Sequence, residues 1–269
     1  MDFKRISSAL ILFPIVACVL IFGNKYLVDV VVSVIAIMSL HEYFNSFKEQ
    51  ENNKDLRWIA YVCAISIAFI HMIPADYILR VIAAIIPISI LILFAQIIGT
   101  NMKYNIKDIA ITFFGICYIV IFLMYLAIIR EMEFGRILIW YVFFAAWGTD
   151  TFAYFIGKRF GKHKFSKVSP NKSIEGCIAG TVGSIILMSI YTWVCNNYLG
   201  MNFSYIYIIL VAVVLSLVGQ IGDFAASSIK RYTGIKDFSN LIPGHGGMLD
   251  RIDSVIFIAP FAYFLFMLL

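Results

Sequence analysis

The chain has 269 residues, of which 62% are hydrophobic and only 14% charged, and its mean hydropathy is +0.91. Soluble domains hold about 45–50% apolar and about 25% charged residues, so a soluble enzyme on a single membrane anchor is excluded. The net charge of +5 does not imply a nucleic-acid partner, because membrane proteins gather Lys and Arg to set their topology.

Nine apolar stretches follow one another, at 6–23, 26–43, 58–75, 79–98, 108–129, 136–157, 174–195, 203–222 and 252–269. Each approaches the ~20 residues that a spanning helix needs. They predict an all-α polytopic membrane bundle of about nine spans that forms one integral domain. The first stretch follows Lys4 and Arg5, and Ile15-Val16-Ala17-Cys18 resembles a lipoprotein cleavage box. In a chain that spans so often, a retained first helix is the better reading. Five cysteines (Cys18, Cys63, Cys117, Cys177, Cys195) lie in or beside apolar stretches without C-x-x-C spacing, which suits small buried hydrophobes. If the N-terminus is cytoplasmic, 17 of the 21 Lys and Arg residues fall on the cytoplasmic side, leaving Lys25, Arg80, Arg130 and Arg136 on the other. That asymmetry supports the orientation and puts Leu269 outside.

Polar chemistry is unevenly spread. The first five stretches are nearly plain hydrocarbon, although His41 beside Glu42 ends the second on the cytoplasmic side, and His71 reads as a packing or interfacial residue. Residues 1–130 are therefore expected to scaffold and admit lipid, and 131–269 to carry the site. In the sixth stretch, Asp150, Tyr154 and Gly157 fall at i, i+4 and i+7 and share one helix face. A carboxylate at membrane depth costs ~2.5–3.5 kcal/mol even on insertion scales.

The loop 158–173 holds six Lys or Arg and ends in Ser169-Pro170-Asn171-Lys172-Ser173-Ile174-Glu175-Gly176. A helix start with hydroxyl and ammonium donors suits an anion, and Ser173 is equally suited to capping that helix. The richest segment runs from Asp223 through Ser227, Lys230, Arg231, Lys236 and Asp237 to Pro243-Gly244-His245-Gly246-Gly247-Met248-Leu249-Asp250-Arg251-Ile252-Asp253. Its glycines let backbone approach a ligand. Carboxylates alternating with fixed cations suit a polyphosphate held with a divalent metal, since Mg²⁺ takes one or two carboxylates plus phosphate oxygens and Lys or Arg neutralise the remaining charge. There is no Walker A motif, no Asp-Asp-x-x-Asp pair and no Ser-His-Asp arrangement.

With these residues in view the chain resembles the phosphatidate cytidylyltransferase (CDP-diacylglycerol synthase) family. That family's pattern is Ser-x-apolar-Lys-Arg, four residues, Lys-Asp, a short spacer, then Pro-x-His-Gly-Gly-apolar-x-Asp-Arg-apolar-Asp, met here from Ser227 to Asp253 without a gap. The segments at 169–176 and 150–157 also resemble it, so the likeness covers roughly 147–253. Ala226 departs from the pattern, many members carrying Glu there.

The resemblance implies a nucleotidyltransferase of phospholipid biosynthesis, CTP + phosphatidate giving CDP-diacylglycerol + diphosphate, in a bacterial cytoplasmic membrane with the site facing the cytoplasm. It implies Mg²⁺, one or two divalent ions with room for a second, monovalent cation, and a homodimer; nucleic acid has no part. Asp223 and Asp250 are the expected metal ligands. Lys230, Arg231 and Arg251 are expected to neutralise phosphate, His245 to shape the phosphate loop with Gly246 and Gly247, and Asp253 to support from behind. Asp150, Tyr154, Ser169, Asn171, Lys172, Ser173, Glu175, Ser227, Lys236 and Asp237 are the expected substrate contacts. A CTP-dependent lipid kinase, a cytidylyltransferase for another lipid phosphate, and an anion transporter are the rival readings.

Overall fold

The computed structural model describes residues 14–47, 56–166, 169, 172–241 and 246–269. Helices follow in the order α1 (14–22), α2 (Lys25–Phe47), α3 (Arg57–Ser66), α4 (Ala75–Gly99), α5 (Ile106–Gly115), α6 (Phe122–Glu131), α7 (Gly135–Phe160), α8 (Ile174–Tyr198), α9 (Tyr205–Tyr232) and α10 (Leu249–Phe266). Helix α3 tightens into a 3₁₀ turn over Ile67–Met72, and a π-helical stretch over Ile116–Ile121 joins α5 to α6. Among the described residues there is no strand, only one isolated bridge between Lys164 and Ser173.

Local chemistry explains several boundaries. Asn24 accepts from Leu27 N at 2.8 Å at the start of α2. Asn105 and Asp108 form a reciprocal capping box at the start of α5, which satisfies orphan amides on both sides of the cap.

The all-helical expectation holds. Among the described residues five segments are long and apolar enough to cross a membrane: Lys25–Phe47, Asp76–Gly99, Ile106–Glu131, Ile174–Tyr198 and Tyr205–Tyr232. Arg57–Met72 is apolar but shorter. Helix α10 has only 18 residues and opens with Asp250, Arg251 and Asp253. Helix α7 interrupts its apolar run with Asp150 and ends in Lys158 and Arg159. Outward faces are hydrocarbon, as on α4, where Leu91 and Ile98 are 70% and 78% exposed.

The chain divides into two compact units: Met1–Glu131 with Tyr232–Arg251, and Met132–Arg231 with Ile252–Leu269. In the first, α2 buries Val28, Val32, Ala36, Leu40 and Tyr43, a stripe at helical spacing. Ser33 Oγ donates to Ala64 O at 2.9 Å, and Tyr43 OH donates to Ile111 O at 3.1 Å.

The same unit gives the packing reading of His71 its partners. Its Nδ1 bonds Asp29 Oδ2, its Nε2 lies 3.3 Å from Glu131 Oε2, and Lys25 Nζ lies 2.9 Å from Glu131 Oε1. Asp29 is fully buried, which is tolerable only with such partners.

In the second unit, small residues let α7 and α8 approach closely. A methyl on Gly180 would meet Thr149 O at 2.8 Å, and one on Gly148 would meet Ser184 Cα at 3.0 Å. Thr149 Oγ1 donates to Ser216 Oγ at 2.8 Å, and Gln220 Nε2 donates to Cys177 O and Thr181 Oγ1, both at 3.2 Å. Close approach plus short polar bonds is how membrane helices associate when hydrocarbon surrounds them. It fixes the start of α8, where the basic loop arrives.

Candidate active site

The second unit gathers charge around Lys172. Its ammonium pairs with Asp223 Oδ2 and sits 4.7 Å from the centroid of the Phe224 ring, which itself stacks on Phe165. Burial pulls the Lys172 pKa down, while attraction from Asp150 and Asp253 pushes against that effect and Lys230 adds to it. The net shift is downward. Carboxylates from α7, α9 and α10 thus act on one lysine delivered by the loop, a mixed-charge arrangement suited to a phosphate and its counter-cation.

What delivers Lys172 is a clamp. Glu175, in the first turn of α8, accepts from Lys162 N (3.1 Å), His163 N (3.2 Å) and His163 Nδ1 (2.6 Å). Ser173, buried, accepts from Gly176 N at 3.1 Å as the cap of α8. Gly161 has room for no side chain, since a methyl there would sit 2.5 Å from Ser173 Oγ. Ser173 and Glu175, expected as substrate contacts, are thus engaged in shaping the loop that carries Lys172.

The first unit holds the glycine turn and the start of α10. Asp250 is buried, and its Oδ2 accepts from Phe238 N at 2.9 Å and Gly247 N at 3.0 Å. Gly246 has φ of +81°, a conformation that favours glycine. Glu42, reaching in from α2, accepts from Ser239 Oγ (2.6 Å), Met248 N (2.9 Å) and Leu249 N (2.8 Å).

Asp150 and Tyr154 are both exposed on α7. Asp150 acts on Lys172, and Tyr154 lies under Lys158, whose ammonium is 5.7 Å from its ring centroid. Arg231, Lys236, Asp237 and Arg251 are exposed, Lys230 and Ser227 partly so. Ser169 contributes its backbone carbonyl to Lys172 N at 3.1 Å. Asn171 and His245 lie outside the described residues. Among the described residues no group of three or more His, Cys, Asp or Glu side chains is arranged to hold a metal.

In the sequence Glu42 stands only as a neighbour of His41, and its partners lie about 206 residues along the chain. One signal did exist: Gly247-Met248-Leu249 offers none of the Ser, Thr, Asp or Asn residues that usually cap a helix.

Comparisons with known proteins bear on the family. The model of the cytidylyltransferase family matches residues 3–269. A phosphatidate cytidylyltransferase of Bacillus subtilis is 35% identical over 196 residues, 71% of this chain and 70% of that protein. Its namesake in Thermotoga maritima is 36% identical over 190 residues, covering 68% and 70%. The Staphylococcus haemolyticus protein of the same name is 36% identical over 178 residues, 66% of each chain. A match across nearly the whole length shows the relationship: the chain belongs to the cytidylyltransferase family.

Proposed function

We infer that this protein transfers the cytidylyl group of CTP to phosphatidate, giving CDP-diacylglycerol and diphosphate. The observation that carries the reading is the Lys172 cluster, in which Asp150, Asp223 and Asp253 act on one loop lysine, within a chain whose relatives are named for this reaction. A phosphate monoester with a second pKa near ~6 is largely dianionic at neutral pH, so the lipid phosphate needs no strong general base. Its oxygen bonds the α-phosphorus of CTP, the bond from that phosphorus to the bridging oxygen breaks, and diphosphate leaves with the electron pair. The protein's contribution is alignment and charge stabilisation. Lys172, Lys230, Arg231 and Arg251 are the cations put forward for the phosphate oxygens.

The donor set fits Mg²⁺. This ion takes one or two carboxylates and fills its remaining positions with phosphate and water, so a cluster of three protein ligands is not required. Asp250 is oriented by two backbone amides, as ligating carboxylates generally are. Asp250 in the first unit and Asp223 in the second are each put forward as a ligand for such an ion, which would supply charge neutralisation on the triphosphate.

Nine spans with a cytoplasmic N-terminus are part of the same proposal. Arg57–Met72, taken at 1.5 Å per α-helical and 2 Å per 3₁₀ residue, extends ~27 Å, close to the ~30 Å hydrocarbon thickness. The 17-to-4 distribution of basic residues favours a site at the cytoplasmic face of a bacterial inner membrane, where soluble CTP meets a lipid. The homodimer is tested by light scattering of the purified protein in detergent.

The deciding experiment gives purified protein short-chain phosphatidate, Mg²⁺ and CTP labelled at either the α- or the γ-phosphorus. The α-label is expected in lipid and the γ-label in diphosphate. Appearance of the γ-label in lipid would make the protein a kinase, and CTP binding without diphosphate release would sink the enzyme reading.

A further inference from the structure

Glu42 lies toward the C-terminal end of α2, 4% exposed. A buried carboxylate is costly unless it is paired or hydrogen-bonded, and here every donor comes from a segment about two hundred residues away. Met248 N and Leu249 N are the leading amides of α10. Such amides have no partner within their own helix, and the positive end of the helix dipole favours an anion. The local sequence offers no capping side chain, so α2 supplies the cap. Ser239 Oγ adds a third bond and ties in the loop that precedes the turn.

The second glycine of the Gly-Gly pair is explained by the same contact. A methyl on Gly247 would fall 2.5 Å from Glu42 Oε2 and 2.7 Å from Oε1 and Cδ, so only glycine lets the carboxylate reach the two amides. The Gly247 amide in turn donates to Asp250 Oδ2. Glu42, Gly247 and Asp250 therefore form one mechanical chain: the carboxylate of α2 seats the turn, and the turn orients the carboxylate of α10.

We propose that Glu42 is a positioning residue for cytidylyl transfer, holding the start of α10 so that Asp250 is presented to the metal–nucleotide. The proposal rests on the reading of Asp250 as a metal ligand. It places part of the catalytic apparatus in the helices otherwise assigned to scaffolding.

The full-length protein in detergent or vesicles is assayed as Glu42→Gln, Glu42→Asp, Ser239→Ala and Asp250→Asn. For each, the rate per folded molecule, the CTP KM, the Mg²⁺ half-saturation and the thermal midpoint are measured. Loss of an outer hydrogen-bonding partner of a ligand typically costs about 10–100-fold in metal affinity or activity. Glu42→Gln is expected to raise the Mg²⁺ half-saturation and the CTP KM by about tenfold or more, with the phosphatidate KM within about twofold. Glu42→Asp should recover part of the loss, and Ser239→Ala should show a smaller shift of the same kind.

Unchanged Mg²⁺ and CTP dependence in Glu42→Gln, with only a lower thermal midpoint or less folded protein, overturns the proposal. If Glu42→Gln yields no folded protein, Ser239→Ala decides alone, a wild-type Mg²⁺ dependence there refuting it. Asp250→Asn separates the two layers. A wild-type Mg²⁺ profile for that variant removes the metal reading itself, whereas a shifted profile beside an unshifted Glu42→Gln removes only the positioning role.

Discussion

Two ionic clusters, one in each unit, make an instructive contrast. In the first unit Lys25, Glu131, His71 and Asp29 alternate base and acid along a single chain of contacts, every member on a helix. In the second unit Asp150, Asp223, Asp253 and Lys230 act on Lys172, which is held on a loop instead of inside a helix. A network carried on helices locks them together; one completed by a loop cation is placed to meet a ligand. The contrast separates structure from chemistry in a way that charge counts along the chain do not.

Substitutions can break this comparison or sharpen it. The largest effects are expected at the Lys172 cluster. Asp223→Asn should cut turnover by about a thousandfold, and Lys172→Met by about a hundredfold, the range seen when preorganised electrostatic groups are removed. Incorporation of α-label into lipid per folded molecule is the measurement. Near-normal rates in Asp223→Asn would make that cluster structural as well, and the distinction would fall.

At the His71 cluster the outcome should invert. Asp29→Asn or His71→Ala strands a buried partner, a change that typically costs about 3–5 kcal/mol, so thermal midpoints in detergent should fall clearly. The rate per folded molecule should stay within about twofold. Loss of turnover without loss of stability would assign that network a catalytic part.

Gly180→Val tests the seam that places the basic loop. Its methyls meet Thr149, and overpacking of this kind costs about 1–3 kcal/mol, readable as a lowered unfolding temperature. The smallest effect belongs to Ser173→Ala, which removes the cap of α8 for about 1 kcal/mol. A far larger loss of activity than of stability there would return Ser173 to the substrate contacts.

Much of the fold was legible in order of appearance. The apolar stretch at 174–195 became α8 over Ile174–Tyr198, and that at 203–222 became α9 over Tyr205–Tyr232. Helix α9 outran its apolar stretch by a full polar segment, because Asp223 through Arg231 continue the helix beyond the hydrocarbon-rich part. The pattern from Ser227 to Asp253 pointed to the family. Tyr154 shows the limit of spacing: it shares a helical register and an exposed face with Asp150, but spacing does not say that its ring lies beside Lys158. Glu175 shows another, since a carboxylate beside a basic loop reads as a ligand group, while folding gives it to the loop's own amides.

The sequence by itself determined the solvent, the helical class and the chemical character of the site, because hydropathy, charge asymmetry and motif spacing are local properties. Only the tertiary structure decided that His71 answers Asp29 and that Glu42 caps α10. Those partners lie 42 and about 206 residues apart, and Glu42 bonds backbone amides, which every residue except proline carries and no sequence pattern marks.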